Sequence, residues 1–99
     1  MMETINVNGH TLHHDQEGRS LYIDVEEGYQ AKVTYRQDGK TWHLVHSEVP
    51  PALRGKGVGA VMMEATLGFM RERGLMAVPV CSYIVHYMDK HPEWDDLRG

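Results

Sequence analysis

The chain has 99 residues, a length that suits a single domain whose core lies near the lower limit for stable folding. Its formal net charge of −4 argues against a general nucleic-acid-binding surface, because such surfaces are usually basic. No apolar run is long enough to cross a membrane, we expect no signal peptide, and the single cysteine excludes an internal disulfide. We therefore expect a cytoplasmic protein that binds neither nucleic acid nor membranes.

Alternation of apolar and polar residues predicts strands in the first half of the chain. Residues 1–10 are weakly patterned, so we expect them either to fray or to form an edge strand, with residues 11–99 as the single domain. Asp38-Gly39 is a strong hairpin signal. Strands are predicted over residues 11–14, 19–26, 30–37 and 41–49, and the last three of them form an antiparallel meander.

The second half of the chain predicts a helix, a strand and a second helix. Residues 58–73 place their apolar side chains in one helical stripe, and Gly68 within that helix indicates close packing against a neighbour. Residues 75–80 are typical of a buried strand that returns parallel to residues 41–49. A last helix covers about residues 83–90. The expected fold is a mixed α+β arrangement: a curved mixed sheet of four or five strands with two helices.

The glycine-rich loop between strand and helix is the most informative segment. Gly55, Gly57 and Gly59 allow sharp turns and a close approach of the backbone to a ligand. The first turn of the following helix presents free N–H groups and the positive end of its dipole. Arg54 and Lys56 add positive charge, and the guanidinium can bind a phosphate bidentately. The loop therefore predicts a phosphate-bearing ligand, although its spacing fits neither the Walker nor the dinucleotide-binding pattern.

The pattern R-x-x-G-x-G, present as Arg54, Gly57 and Gly59, resembles the acetyl-CoA pyrophosphate loop of the GNAT superfamily of N-acetyltransferases. The resemblance covers roughly residues 12–97 and is to the very small proteins described as N-acetyltransferase-domain-containing. It is carried by residues 46–51, 53–59, 73–75 and 78–81, by Tyr87 and by residues 91–93.

The resemblance implies a reduced GNAT fold that uses acetyl-CoA as cosubstrate. The strand before the loop is expected to splay from its parallel neighbour, so that its backbone at residues 45–49 holds the pantetheine arm. The helix pair after the first strand and the last two strands of a full GNAT protein are missing. The acceptor site is therefore either open or completed by a second subunit, which leaves monomer and homodimer as alternatives. The implied cofactor-binding residues are Val49, Arg54, Gly55, Lys56, Gly57, Val58, Gly59 and Ala60.

Two residues at the end of the strand before the loop are candidates for a general base. Strict alternation places Trp42, Leu44, His46 and Glu48 on one face of this strand. His46 and Glu48 then lie together beside the expected thioester, where either could take a proton from an amine. The alternative is that Glu48 is a solvated acid and His46 a structural hydrogen-bonding residue.

Cys81 is a candidate nucleophile, because it ends the second parallel strand and precedes a helix N-terminus that favours a thiolate. The resemblance implies that it lies near the acetyl group, although free cysteine more often acts as a small buried apolar residue. Tyr87 falls near the tyrosine that protonates the departing thiolate in many GNAT enzymes, without a clean match of spacing.

Three functions remain open, of which an acetyl-CoA-dependent N-acetyltransferase with an unidentified amine acceptor is favoured. The alternatives are a non-catalytic CoA-binding module, acting as a sensor or partner subunit, and a protein for a different phosphate-bearing metabolite. No metal site is expected, because His10, His13 and His14 follow no metal-binding motif and are predicted to be solvated.

Overall fold

Six strands form one mixed sheet in the order of the chain. The computed structural model describes residues 2–99, apart from the side chain of Glu27. The first five strands pair antiparallel with their neighbours, and the sixth lies parallel to the fifth. The strands are β1 (Met2–Val7), β2 (His10–Asp15), β3 (Ser20–Asp24), β4 (Gln30–Asp38), β5 (Thr41–Glu48) and β6 (Met76–Pro79).

The two α-helices confirm the prediction for the second half of the chain. Helix α1 spans Val58–Glu72 and connects the parallel strands, and α2 spans Ser82–Lys90 after β6. Short 3₁₀ helices cover Glu26–Gly28, Pro51–Leu53 and Pro92–Leu97. No helix of the described residues is both long and apolar enough to cross a membrane.

The sheet has six strands rather than four or five, because the N-terminal segment forms a complete hairpin. Residues 2–7 adopt the edge strand, one of the two alternatives open for this segment. Asn8 and Gly9 both have positive φ angles, of 52° and 86°, which is the conformation of a two-residue type I′ turn. Asn6 accepts a hydrogen bond from the Gly9 amide at 3.1 Å and stabilises the turn.

An extra residue in β5 breaks the regular alternation of that strand. Thr34 of β4 pairs with His46, whereas the next residue, Tyr35, pairs with Leu44, so Val45 has no partner and forms a β-bulge. Paired residues project to the same side of a sheet. Ser47, which pairs with the buried Val33, therefore lies on the core face with Leu44.

The predicted grouping of four side chains on one face of β5 is therefore wrong. Trp42 and Leu44 face the core, where they are 4% and 0% exposed. His46 and Glu48 lie beyond the bulge and project from the opposite face, where their side chains are 59% and 58% exposed. The bulge separates the two candidate bases from the core side of the sheet.

The core lies on one face of the sheet and is covered by α1. This helix packs across the sheet, including β5, where the Phe69 ring lies against that of Trp42, and its apolar stripe joins the strand residues in a single buried cluster. The largest fully buried side chains of α1 are Met62, Met63, Leu67, Phe69 and Met70.

His14 belongs to the core, which corrects the prediction that it is solvated. Its side chain is packed among Tyr35, Trp42 and Phe69, and its Nε2 atom lies 2.6 Å from the Tyr35 hydroxyl in a hydrogen bond. Burial lowers the pKa of His14, because the charged imidazolium is poorly solvated there.

Close packing of α1 on the N-terminal hairpin predicts that Gly68→Ala destabilises the protein. An added Cβ would lie 2.8 Å from Cγ1 of the fully buried Val7. Alanine gains roughly 1 kcal/mol of helix propensity, but overpacking costs roughly 1–3 kcal/mol. We expect the free energy of unfolding, measured by urea denaturation, to fall by about 1 kcal/mol.

The control is the same substitution in a Val7→Ala background, where the closest contact is removed and only the Asn8 side-chain nitrogen, 3.1 Å away, remains. Gly68→Ala should be less destabilising there, and an equal effect in both backgrounds would contradict the close contact between α1 and β1.

Candidate active site

The site is built where β5 and β6 separate. The two strands pair only where Thr41–Leu44 of β5 lies beside Met76–Pro79 of β6. The Leu44 carbonyl then accepts hydrogen bonds from the amides of both Val80 and Cys81, each at 3.0 Å, and the parallel ladder ends. The edge of β5 beyond Leu44 is left without a strand partner on this side, as expected for a splayed pair.

The glycine loop next to this opening presents free backbone donors. Gly55 and Gly57 have φ angles of 81° and 77°, in the left-handed region where only glycine is unstrained. Gly57 is the N-cap of α1 and provides no capping side chain, so the amides of the first helical turn lack partners within the helix. Together with the helix dipole they form a site that favours an anion.

A cavity of about 550 Å³ lies between this loop and α2. One wall is formed by Val49, Leu53, Arg54, Gly55, Gly57, Val58, Gly59 and Ala60. Seven of the eight predicted cofactor-binding residues thus line one cavity. Lys56 does not: it lines a separate, smaller cavity with His10 and Asp24.

The opposite wall is formed by α2 and its C-cap residue, through Tyr83, His86, Tyr87, Lys90 and His91. Of these residues, only Tyr87 is a site residue predicted from the sequence. Their spacing of i, i+3, i+4, i+7 and i+8 marks one helical face, which could have indicated a shared surface. Gly59 allows the two walls to meet, since a Cβ there would collide with the Tyr83 hydroxyl.

Ser47 and Cys81 face each other across the opening between the strands. Ser47 lines the cavity, and its Oγ atom lies 3.4 Å from the Cys81 Sγ atom in a hydrogen bond. Cys81 is half-buried at the N-cap of α2. Burial acts to raise the pKa of its thiol, but the Ser47 hydroxyl and the nearby amides of Ile84 and Tyr83 outweigh it. The net effect is a lowered pKa, which favours the nucleophilic thiolate.

His46 and Glu48 remain neighbours, but they do not line the cavity. Their Nε2 and Oε2 atoms are 3.5 Å apart on the exposed face of β5. A base at this position would act on a group that approaches the opening from the other side of the sheet.

Tyr87 is held rigidly in the α2 wall. Its ring stacks on that of His91, with centroids 3.9 Å apart and planes inclined by 14°. The His91 Nδ1 atom donates a hydrogen bond to the Tyr87 carbonyl at 2.7 Å. Burial raises the pKa of Tyr87, so its hydroxyl stays protonated at neutral pH and is available as a donor.

Parallel strands that separate beside a glycine loop and an uncapped helix define the class of small GNAT-domain proteins. A sequence profile described as GCN5-related N-acetyl-transferase matches residues 20–97. Protein NATD1 from Xenopus tropicalis is 32% identical over 83 residues, which cover 82% of this chain and 76% of that protein. Human protein NATD1 has the same identity and coverage of this chain, with 74% of its own length matched.

A solved structure has the same fold. It is the NMR solution structure of a GCN5-like protein from Staphylococcus aureus, with a TM-score of 0.66 and 30% sequence identity. The match covers 86% of this chain and 85% of the other. The chain therefore belongs to the GCN5-related N-acetyltransferase (GNAT) family.

The hydrogen bond across the opening predicts that Ser47→Ala raises the pKa of Cys81. The hydroxyl stabilises the thiolate more than the thiol, so its removal shifts the equilibrium towards the protonated form. We expect the midpoint of the pH–rate profile for alkylation by iodoacetamide to move to higher pH. Alkylation at neutral pH should slow several-fold.

Ser82→Ala is the matched control, because it removes a neighbouring hydroxyl that makes no hydrogen bond to Cys81 in the described structure. An unchanged midpoint in Ser47→Ala, or an equal shift in Ser82→Ala, would refute the role of Ser47.

Proposed function

We propose that the protein is an acetyl-CoA-dependent N-acetyltransferase. One observation carries the proposal: a cavity with unpaired helix amides and a free arginine leads directly to the opening where Ser47 and Cys81 meet. A phosphate-bearing carrier held by the amides would thus extend its acyl end towards a thiol of lowered pKa. Membership of the GNAT family supports the same assignment.

Acetyl-CoA would bind along this path. The amides of Val58, Gly59 and Ala60, with Arg54 beside them, would bind the pyrophosphate. The free edge of β5 beyond Leu44 would form hydrogen bonds with the amide groups of the pantetheine arm, in the way that it would pair with a neighbouring strand. Bound acetyl-CoA would supply the thioester that reacts at the opening.

Covalent transfer through Cys81 is the reaction route that the geometry favours. Its thiolate would attack the acetyl carbonyl, form a new thioester and release the thiolate of CoA, which takes a proton from Tyr87 or solvent. An amine would then attack the Cys81 thioester and lose a proton to a base. The amide forms, and the Cys81 thiolate is released unchanged.

Direct transfer is the second route. An amine that reaches the opening from the exposed face of β5 would meet His46 and Glu48 first. Either residue could take its proton as the amine attacks the thioester, and Tyr87 would protonate the leaving thiolate. The acceptor class stays open in both routes: a small amine, a lysine side chain or a protein N-terminus.

A non-catalytic CoA-binding module is the alternative function. It is favoured by the separation of the two candidate bases from the cavity, since they lie on the opposite face of β5. Such a module would bind acetyl-CoA through the same loop and release it unchanged.

Intact mass spectrometry after incubation with acetyl-CoA tests these routes. We expect an acetyl adduct on the wild-type protein, its absence in Cys81→Ala, and its loss when a panel of amines is added. The reason is that Cys81 is the sole cysteine and has a lowered pKa beside the cavity. Gly59→Ala should give less adduct at limiting acetyl-CoA, because its Cβ would collide with the Tyr83 hydroxyl at the cavity wall and should weaken acetyl-CoA binding by about tenfold.

His46→Gln and Glu48→Gln are the comparison variants, and they should still form the adduct. Acetylated amines from both the wild type and Cys81→Ala, without an adduct, would replace the covalent route by direct transfer. Acetyl-CoA binding without adduct or product would favour the binding module, and no binding would refute the proposed function.

A further inference from the structure

We propose that Lys90, with His86 beside it, recognises the 3′-phosphate of CoA and makes the cavity selective for CoA over dephospho-CoA. This inference rests on the proposed function, because it requires a CoA-type ligand in the cavity. It assigns a separate task to the C-terminal half of α2, which the reaction at the opening does not use.

The cavity contains two cations that are available to a ligand, whereas three arginines elsewhere on the surface are held in ion pairs. Arg73 pairs with Glu3 at 2.7 Å, and Arg98 pairs with Asp89 at the same distance. Arg54 and Lys90 both line the cavity, and neither forms an ion pair with a described carboxylate. Two cations in opposite walls of one concave site are available for two separate anionic groups of a ligand.

The position of Lys90 along the cavity indicates which anionic group of the ligand it contacts. Tyr83, in the first turn of α2, lies against Gly59, so the helix amides of α1 face the beginning of α2. Lys90 is the last residue of α2 and lies roughly 10 Å further along that helix. A ligand with its thioester at Ser47 and its pyrophosphate on the α1 amides has only its nucleotide end left for this part of the wall.

The nucleotide end of CoA carries a phosphate on the 3′ position of its ribose, and dephospho-CoA lacks it. His86 and Lys90 are four residues apart and therefore lie on the same face of α2. An ammonium group and an imidazole side by side suit a phosphate dianion, whereas Arg54 and the α1 amides would hold the pyrophosphate that both ligands share.

Isothermal titration calorimetry with CoA and dephospho-CoA tests the assignment. We expect the wild-type protein to bind CoA about tenfold more tightly, the gain typical of a charge-assisted contact to phosphate. Lys90→Gln should remove this preference by weakening CoA binding alone. Arg54→Gln should weaken both ligands alike, and Lys40→Gln, at an exposed lysine outside the cavity, should change neither.

Three results would overturn the inference: equal wild-type affinity for the two ligands, equal weakening of both by Lys90→Gln, or loss of the preference in Arg54→Gln instead. Each of these leaves CoA binding, and hence the proposed function, intact. If the wild-type protein binds neither ligand, the proposed function fails and this inference fails with it.

Discussion

The unpaired residue Val45 is the constraint on which the site depends. The β6 ladder ends at Leu44, and the register with β4 slips at the next residue. Without the slip, Ser47 would project from the exposed face, away from Cys81. With it, Ser47 reaches the core side and meets the cysteine at 3.4 Å where the strands separate. The bulge at Val45 thus places Ser47 at the opening of the sheet, where its hydrogen bond lowers the pKa of Cys81.

The same slip in register places the candidate nucleophile and the two candidate bases on opposite sides of the sheet. The cavity, Ser47 and Cys81 lie on the side covered by α1, where the buried core also lies. His46 and Glu48 lie on the opposite side, together with polar residues such as Thr34 and Lys32. A cosubstrate held on the first side and an acceptor arriving from the second would meet only at the opening. The arrangement would therefore suit the proposed transfer at the sheet edge, because an acceptor would not need to compete with CoA for the cavity.

The sequence predicted the elements better than it predicted the side-chain directions. Glycine positions and apolar stripes are local signals, so the loop and the start of α1 at Val58 were predictable. The Asn8-Gly9 turn is also local, and an Asn-Gly pair is a signal for a two-residue hairpin. The bulge at Val45 was not predictable, since it depends on pairing with β4 and leaves no trace in the alternation of β5. Burial of His14 likewise depends on its neighbours in the sheet, Tyr35 and Trp42.

Burial and hydrogen bonding shift the pKa of Cys81 in opposite directions, and this balance matters for a covalent intermediate. In a two-step transfer the same sulfur must attack a thioester and later leave from one. A lower pKa makes a thiolate a better leaving group and increases its population, but it also reduces its intrinsic nucleophilicity. Burial opposes the hydrogen bonds at Cys81 and therefore limits how far they lower its pKa. Since CoA itself would leave as a thiolate, a cysteine whose lowered pKa is limited by burial could both accept the acetyl group and release it to an amine, as the proposed covalent route requires.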